Sequence, residues 1–240
     1  IDVEDAYRIQ LDNISRRLDA GTTVVGHKVG LSSKAMQQMM GVDEPDYGHL
    51  LDDMAQREDA SVDVAGYLIP RVEPEVAFIL GADLPGEGCT EDDVLAATES
   101  VTAALELIDS RIVDWRIALP DTIADNASSA GFVLGAARVA PGEVDLTTIP
   151  VRLLRNEEEV GVGRSDAVLG NPVTSVAWLA RKVASFGVRL QAGHVILPGS
   201  CTRAIDARGG DEFRADFGPL GEVRLQFHDS ASGRTGRGTT

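Results

Sequence analysis

Pro70-Arg71-Val72-Glu73-Pro74-Glu75-Val76-Ala77-Phe78-Ile79-Leu80, closed by Gly81, is the stretch that decides how this chain folds and where its chemistry lies. β-Branched and other apolar residues dominate it and a glycine ends it, which is the composition of a strand. Side chains along a strand alternate between faces, so Glu73 and Glu75 point the same way. Two carboxylates side by side in an apolar element repel each other and are costly to bury unpaired. A hard divalent cation relieves both costs, because Mg2+ takes oxygen ligands from one or two carboxylates and fills its shell with substrate and water. A third acid, Glu106, sits in a similar apolar run, Ala104-Leu105-Glu106-Leu107-Ile108-Asp109. Glu73, Glu75 and Glu106 therefore read as a metal-holding trio. The competing reading is an outward, solvated strand face whose acids pair with Arg71 and Arg111, since exposed carboxylates are the norm.

Composition frames that choice. The chain has 240 residues, 43% of them hydrophobic, enough to bury a core as one domain or two closely packed halves. No apolar run is long enough to span a bilayer. Cys89 and Cys201 are too few for a disulfide framework and lack metal-ligand spacing, which points to a reducing cytoplasm. The formal charge of −16 argues against nucleic-acid binding, because a phosphate backbone would be repelled. A small anionic substrate stays compatible only where a metal or local Lys and Arg reverse the field. His27, His49, His194 and His228 show no zinc spacing, and packing is the better reading for His27 beside Lys28.

Outward from the central strand, the pattern is mixed α and β without a βαβ rhythm. Asp2 to Ala20 reads as an amphipathic helix stopped by Gly21. Thr22 to Val29 reads as a strand, and Ser33 to Met40 as a short helix capped by serine and stopped by Gly41. Its methionines, Met36, Met39 and Met40, suit core or interface filling. Val42 to Asp53 reads as a loop, and Thr90 to Ala104 as a helix opened by a capping-box-like Thr90 and Asp93. A hairpin is expected around Asn156-Glu157-Glu158. A helix follows from Asn171-Pro172 to near Gly187. Strands at Val195 to Leu197, Glu212 to Asp216 and Val223 to Phe227 close the fold.

Gly26-His27-Lys28-Val29-Gly30-Leu31, Glu44-Pro45-Asp46-Tyr47-Gly48 and Arg71-Val72-Glu73-Pro74-Glu75 together resemble the 2-keto-4-pentenoate hydratase family of the fumarylacetoacetate hydrolase superfamily. The likeness continues through Ala104 to Asp109, Asp121-Thr122-Ile123-Ala124-Asp125-Asn126-Ala127-Ser128, Gly170-Asn171-Pro172 and Leu197-Pro198-Gly199-Ser200-Cys201-Thr202. It is similar in particular to actinobacterial 2-hydroxypenta- and 2-hydroxyhexa-2,4-dienoate hydratases of meta-cleavage pathways that degrade aromatic hydrocarbons and steroids. The resemblance implies an α+β fold, a mixed β-roll or sandwich with flanking helices like the fumarylacetoacetate hydrolase C-terminal domain. The chain is expected to divide into an N-terminal α/β segment (1–55) packed on a catalytic domain (56–228), and its small, polar, Gly-rich end reads as a disordered tail (229–240).

The resemblance also implies a hydro-lyase that adds water to a 2-hydroxydienoate to give a 4-hydroxy-2-oxo acid. It assigns a Mg2+ or Mn2+ site to Glu73, Glu75 and Glu106, and catalytic roles to Lys28 and Asp46. Substrate contacts fall on Gly199, Ser200, Thr202 and Lys28, with Asp109, Asp125 and Asn126 supporting them. A cytoplasmic homo-oligomer, dimeric or larger, is implied, with the downstream aldolase of the pathway as an expected partner. Each residue has a plainer reading. Lys28 would be a surface lysine at a strand end, whereas beside a metal-bound ligand it would hold a carboxylate as a point charge, or act as a general acid if its pKa were depressed. Asp46 would cap a turn. Ser200 and Thr202 would satisfy local backbone groups, and Asp109, Asp125 and Asn126 would form a structural polar network. Competing functions are a 4-oxalocrotonate-type 2-oxo-3-enedioate decarboxylase, a 2-oxohept-4-ene-1,7-dioate hydratase and an acidic metal-binding protein without activity.

Overall fold

In the computed structural model, which describes residues 1–58 and 60–230 (leaving aside the side chains of Met39 and Met40), the central stretch forms strand β5, Arg71–Leu80. It lies inside an eight-stranded sheet with β1 (Val24–Gly30), β2 (Asp46–Leu51), β3 (Ala55–Gln56), β6 (Thr98–Ile108), β7 (Ser129–Leu134), β10 (Val195–Leu197) and β11 (Ile205–Asp206). The order is β2-β1-β10-β5-β6-β7-β3, with β11 added to β5. A five-stranded sheet of β4 (Ser61–Asp63), β8 (Pro150–Arg155), β9 (Glu158–Arg164), β12 (Glu212–Asp216) and β13 (Glu222–His228) runs β4-β13-β12-β8-β9. β12 and β13 pack against β6, and Phe213, Phe217, Val223 and Leu225 meet Val76, Ala103 and Leu105 in the core between the sheets. Parallel pairs (β1 with β10, β3 with β7, β4 with β13) stand among antiparallel ones, so the architecture is α+β with mixed sheets. β1 and β2 join this sheet directly, so residues 1–55 share it with the rest of the chain. From residue 231 on, the tail expected at 229–240 lies outside the described residues.

Five helices flank the sheets among the described residues: α1 (Val3–Asp19), α2 (Lys34–Met40), α3 (Glu91–Ala97), α4 (Leu119–Ala124) and α5 (Pro172–Ala184). Their ends follow local chemistry. Asp2 caps α1 by accepting from the Asp5 amide at 2.8 Å, and Asn171 caps α5 by accepting from Val173 at 3.0 Å. Gly41 closes α2 with φ 68°, a left-handed conformation that suits glycine. None of the described helices is long and apolar enough to cross a membrane.

Two elements differ from the sequence expectation. The helix expected over Thr90–Ala104 stops at Ala97, and Thr98 begins the eleven-residue strand β6. Ala103, Ala104 and Leu105 favour helix locally, but pairing with β5 along its length and burial on both faces outweigh that weak preference. The loop expected over Val42–Asp53 contains β2, every residue of which is buried against β1. Pro74 sits in a central strand without breaking it. Its carbonyl accepts from Cys201 at 2.9 Å, so its nitrogen faces the same side, where β10 has ended, and the ladder to β6 loses no donor.

Candidate metal centre and active-site cavity

β5 and β6 pair so that Glu73 stands directly across from Glu106, with Glu75 two residues further on the same face. Ligand oxygens of Glu73, Glu75 and Glu106 lie within 4.8 Å of one another, and all three residues are buried. The outward reading of these acids fails, since Arg71 instead meets Asp206 at 2.9 Å and Arg111 meets Asp125 at 2.5 Å. Glu75 Oε2 accepts from the Gly199 amide at 2.7 Å, while its buried Oε1 has no hydrogen-bond donor among the described residues. Glu106 Oε1 accepts from the Ser129 hydroxyl at 3.1 Å. An all-oxygen set of clustered carboxylates with an unanswered buried lone pair fits a hard divalent ion.

Lys28 reaches the cluster from β1. Its Nζ lies 3.4 Å from Glu106 Oε2 and donates to the Ala127 carbonyl at 3.1 Å. That carbonyl is presented by three successive left-handed residues, Asn126, Ala127 and Ser128, at φ 57°, 50° and 57°. Such a run is strained and persists only where its surroundings fix it. The Asn126 side chain does so by pairing with both backbone groups of His49, accepting from its N–H at 2.7 Å and donating to its C=O at 2.9 Å. Gly48 makes room, because a Cβ there would fall 2.3 Å from the Asn126 carbonyl.

Asp46 stands across from Gly30 on β2, and a Cβ on Gly30 would fall 2.2 Å from Asp46 Oδ1 and 3.5 Å from Lys28 Nζ. Two glycines of the sequence motifs are thus gaps that let functional groups meet.

Burial sets the protonation of these groups. It lifts Glu73 to about 7, partly opposed by Lys28, and lifts Glu75 well above the carboxylate range, with the charges of Glu106 and Glu73 adding to the rise. Glu106 and Asp46 are also raised by burial, each partly offset by Lys28. For Lys28, burial pulls downward, but Glu106, Glu73, Asp46 and Glu75 outweigh it and hold the ammonium above its ordinary value. With the acids unanswered by any other ion, Lys28 is their cationic partner.

The remaining sequence candidates are spread more widely. Gly199 adopts φ 132°, with a would-be Cβ 1.9 Å from Ser32 Oγ, so the turn requires glycine. The Ser200 hydroxyl donates to the Thr202 carbonyl at 2.8 Å, and the Thr202 hydroxyl to the Arg203 carbonyl at 3.0 Å. Asp109 accepts from the Leu68 and Ile69 amides at 2.8 and 2.7 Å, away from the cluster, and Asp125 holds Arg111. His27 points to the other face of β1 from Lys28, its ring centroid 4.7 Å from that of His49 and 5.7 Å from that of His194.

A narrow cavity of about 80 Å3 lined by Lys28, Asp46, Glu73, Thr122, Ser128 and Ser200 opens into a larger one of about 650 Å3. Thr122, Ser129 and Trp115 were not singled out by sequence reasoning. The first two lie in or beside a quoted motif, whereas nothing local distinguishes Trp115.

Residues 30–228 match the family described as Fumarylacetoacetate (FAA) hydrolase C-terminal. The chain belongs to that family. It is 42% identical over 230 residues to 2-keto-4-pentenoate hydratase of Paraburkholderia xenovorans (strain LB400), covering 96% of this chain and 86% of that one. It is 44% identical over 235 residues to 2-oxo-hept-4-ene-1,7-dioate hydratase of Escherichia coli, covering 95% and 87%. Among solved structures, 4-oxalocrotonate decarboxylase from Pseudomonas putida G7, complexed with magnesium and adipate, superposes with a TM-score of 0.92 at 36% identity, covering 95% of this chain and 86% of that one.

Proposed function

We propose that the protein is a divalent-metal-dependent hydro-lyase that hydrates 2-hydroxypenta-2,4-dienoate or its hexa homologue to the 4-hydroxy-2-oxo acid. The observation that carries this reading is the convergence of Glu73, Glu75 and Glu106, with Glu73, Lys28 and Asp46 lining a cavity, in a chain 42% identical to a hydratase. Glu73, Glu75 and Glu106 would hold Mg2+ or Mn2+, which supplies Lewis-acid stabilisation of negative charge at the substrate C2 oxygen.

The chain's own groups account for the rest. Lys28, cationic and fixed by Glu106 and Ala127, attracts the C1 carboxylate and favours charge at the C2 oxygen as a point charge. Ser200, lining both cavities, would turn its one hydroxyl proton from the Thr202 carbonyl to the same carboxylate. Gly199 positions Glu75, and Thr202 orders the turn beyond. Asp46, beside Lys28 in the narrow cavity and raised above its ordinary value by burial, is the group that moves protons. In the first step the hydroxyl proton leaves O2 and a proton is delivered to C5, giving the 2-oxo-3-enoate. Water then adds with its hydroxyl to C4 and a proton to C3. Asn126 acts at one remove by fixing Ala127, while Asp109 and Asp125 brace the surrounding loops.

The same reading includes a homo-oligomer in a reducing cytoplasm, consistent with two buried free cysteines, acting in aromatic or steroid ring catabolism beside an aldolase. The decarboxylase reading is the second, favoured by the close superposition on 4-oxalocrotonate decarboxylase. The test is ultraviolet loss of freshly generated dienoate with and without chelator, with carbon counting in the product. Metal-dependent loss with all carbons retained supports the hydratase. Activity that survives exhaustive chelation, or release of CO2, overturns it.

A further inference from the structure

We infer that a cavity behind β1, on the face away from Lys28, is a second small-molecule site, one that takes an amphipathic monocarboxylate on His27, His194 and Arg189 with its apolar body against α1. The inference does not depend on the dienoate reading. The cavity, about 570 Å3, lies between α1, the strands β1 and β2, and the segment joining α5 to β10. It shares no lining residue with either cavity beside the acids.

His27 is fully buried and lines this cavity, yet neither of its ring nitrogens has a hydrogen-bond partner among the described residues. The Thr22 hydroxyl, buried in the same wall, is also unanswered. Buried polar groups are seldom left so, and each such group calls for a partner from outside the chain. The flanking imidazoles are already oriented. Gln10 commits both amide hydrogens to the Tyr47 and Ile123 carbonyls, at 2.9 and 2.7 Å, so its Oε1, 3.1 Å from His49 Nδ1, accepts the ring proton there. His194 Nδ1 accepts from the Gln191 amide at 3.3 Å, which puts the proton of that ring on Nε2.

The lining offers donors and no acid. In a chain of net charge −16, no Asp or Glu stands around this cavity, and Arg189 is exposed there without an ion-pair partner among the described residues. That balance favours an anion. Leu11, Ile14 and Leu18 of α1, with Val24 and Val188, form an apolar wall, so the anion carries a hydrocarbon body. A metal ion does not fit, because among the described residues only the three glutamates bring ligand atoms close enough together. Burial holds His27 well below its ordinary value, with His49 and His194 adding to the fall. Burial lowers His49 to about 4, and lowers His194 against the pull of Asp83. The Tyr47 ring lies 5.8 Å from that of His49, and α1 presents no titratable group to the cavity. Neutral on their own, the imidazoles gain a proton when a carboxylate arrives, so binding tightens as pH falls.

The experiment titrates octanoate into the full chain with Mg2+ and saturating oxalate, which occupies the site at the acids. Calorimetry between pH 6 and 8, in buffers of different ionisation heat, gives Kd and the protons taken up, and 15N shifts of the histidine rings show where they land. Octanoate is expected to bind with proton uptake at these imidazoles, its Kd tightening as pH falls by up to about tenfold per unit for each proton. Arg189→Gln should weaken Kd by roughly three- to tenfold, and His27→Gln by about tenfold or more with loss of the proton uptake. Arg189 is exposed, so its variant carries the test should His27→Gln not fold. No binding at millimolar octanoate overturns the inference. So does binding that oxalate displaces, that 1-octanol matches, that neither variant weakens, or whose Kd is flat from pH 6 to 8.

Discussion

Replacing Lys28 by methionine removes the buried cation that faces Glu73, Glu75, Glu106 and Asp46. Its Nζ stands 3.4 Å from Glu106 Oε2, a separation at which two unit charges attract by about 5 kcal/mol at an effective dielectric of about 20. Removing one partner of a buried pair typically costs about 3–5 kcal/mol. In chelator near pH 8 we therefore expect Lys28→Met to lose about 4 kcal/mol, a fall in Tm of about 10 °C for a chain of this size.

The loss should shrink near pH 6. Burial already holds Glu73 at about 7, and loss of Lys28 raises the cluster further, so a carboxyl takes up a proton in place of the ammonium. The folded variant then binds more protons than the unfolded chain, so its stability rises as pH falls, by up to ~1.4 kcal/mol per unit for each proton. Saturating Mg2+ should restore much of the Tm at either pH, because an ion of charge two answers the same acids. Activity should still fall by about 10²-fold or more, since the ion does not replace a preorganised charge at the substrate. Paired thermal melts in chelator and in Mg2+ read all of this. A wild-type melting temperature in chelator near pH 8, or an equal loss at both pH values, would refute the assignment of Lys28 as counter-ion.

Glu75→Gln should abolish tight divalent binding in calorimetry and cut turnover by about 10²-fold or more, yet leave the metal-free Tm unchanged or higher. The amide can still accept from Gly199, and a carboxyl already forced upward by its neighbours is removed. Gly30→Ala places a methyl 2.2 Å from Asp46 Oδ1 and should lower kcat by about 10²-fold while metal affinity stays within about twofold, a split read by kinetics and titration. Buried His49 is lowered to about 4, so the folded state disfavours its proton. Its contribution, at most about 3 kcal/mol, is present above pH ~6.5 and lost as pH falls toward ~4. Denaturant melts across that window should show a steep acid limb that flattens in His49→Gln.

Legibility differed from residue to residue for physical reasons. Caps and stops were readable because their chemistry is local: Ser33, Asn171 and Gly41 end their helices by contacts within a few residues. β6 was misread in part because Ala103, Ala104 and Leu105 carry no local sign of the strand that covers them. β2 was misread because Asp43, Pro45 and Gly48 look like turn residues, although Gly48 serves a close approach by Asn126. The acids Glu73, Glu75 and Glu106 were readable as candidates, since unpaired carboxylates in apolar strands demand an explanation. Thr122, Ser129 and Trp115 were not, because their roles depend on which distant residue they meet.

The sequence by itself determined the facing of Glu73 and Glu75, through the two-residue period of a strand, and the helix starts at Ser33, Thr90 and Asn171, through side chains bonding to nearby backbone. Only the tertiary structure decided that Glu106 stands opposite Glu73, that Lys28 pairs with Glu106, and that Trp115 walls the larger cavity. Strand register, and burial that turns an ordinary carboxyl into a strained one, are properties of the assembled sheet. No local window of residues contains them.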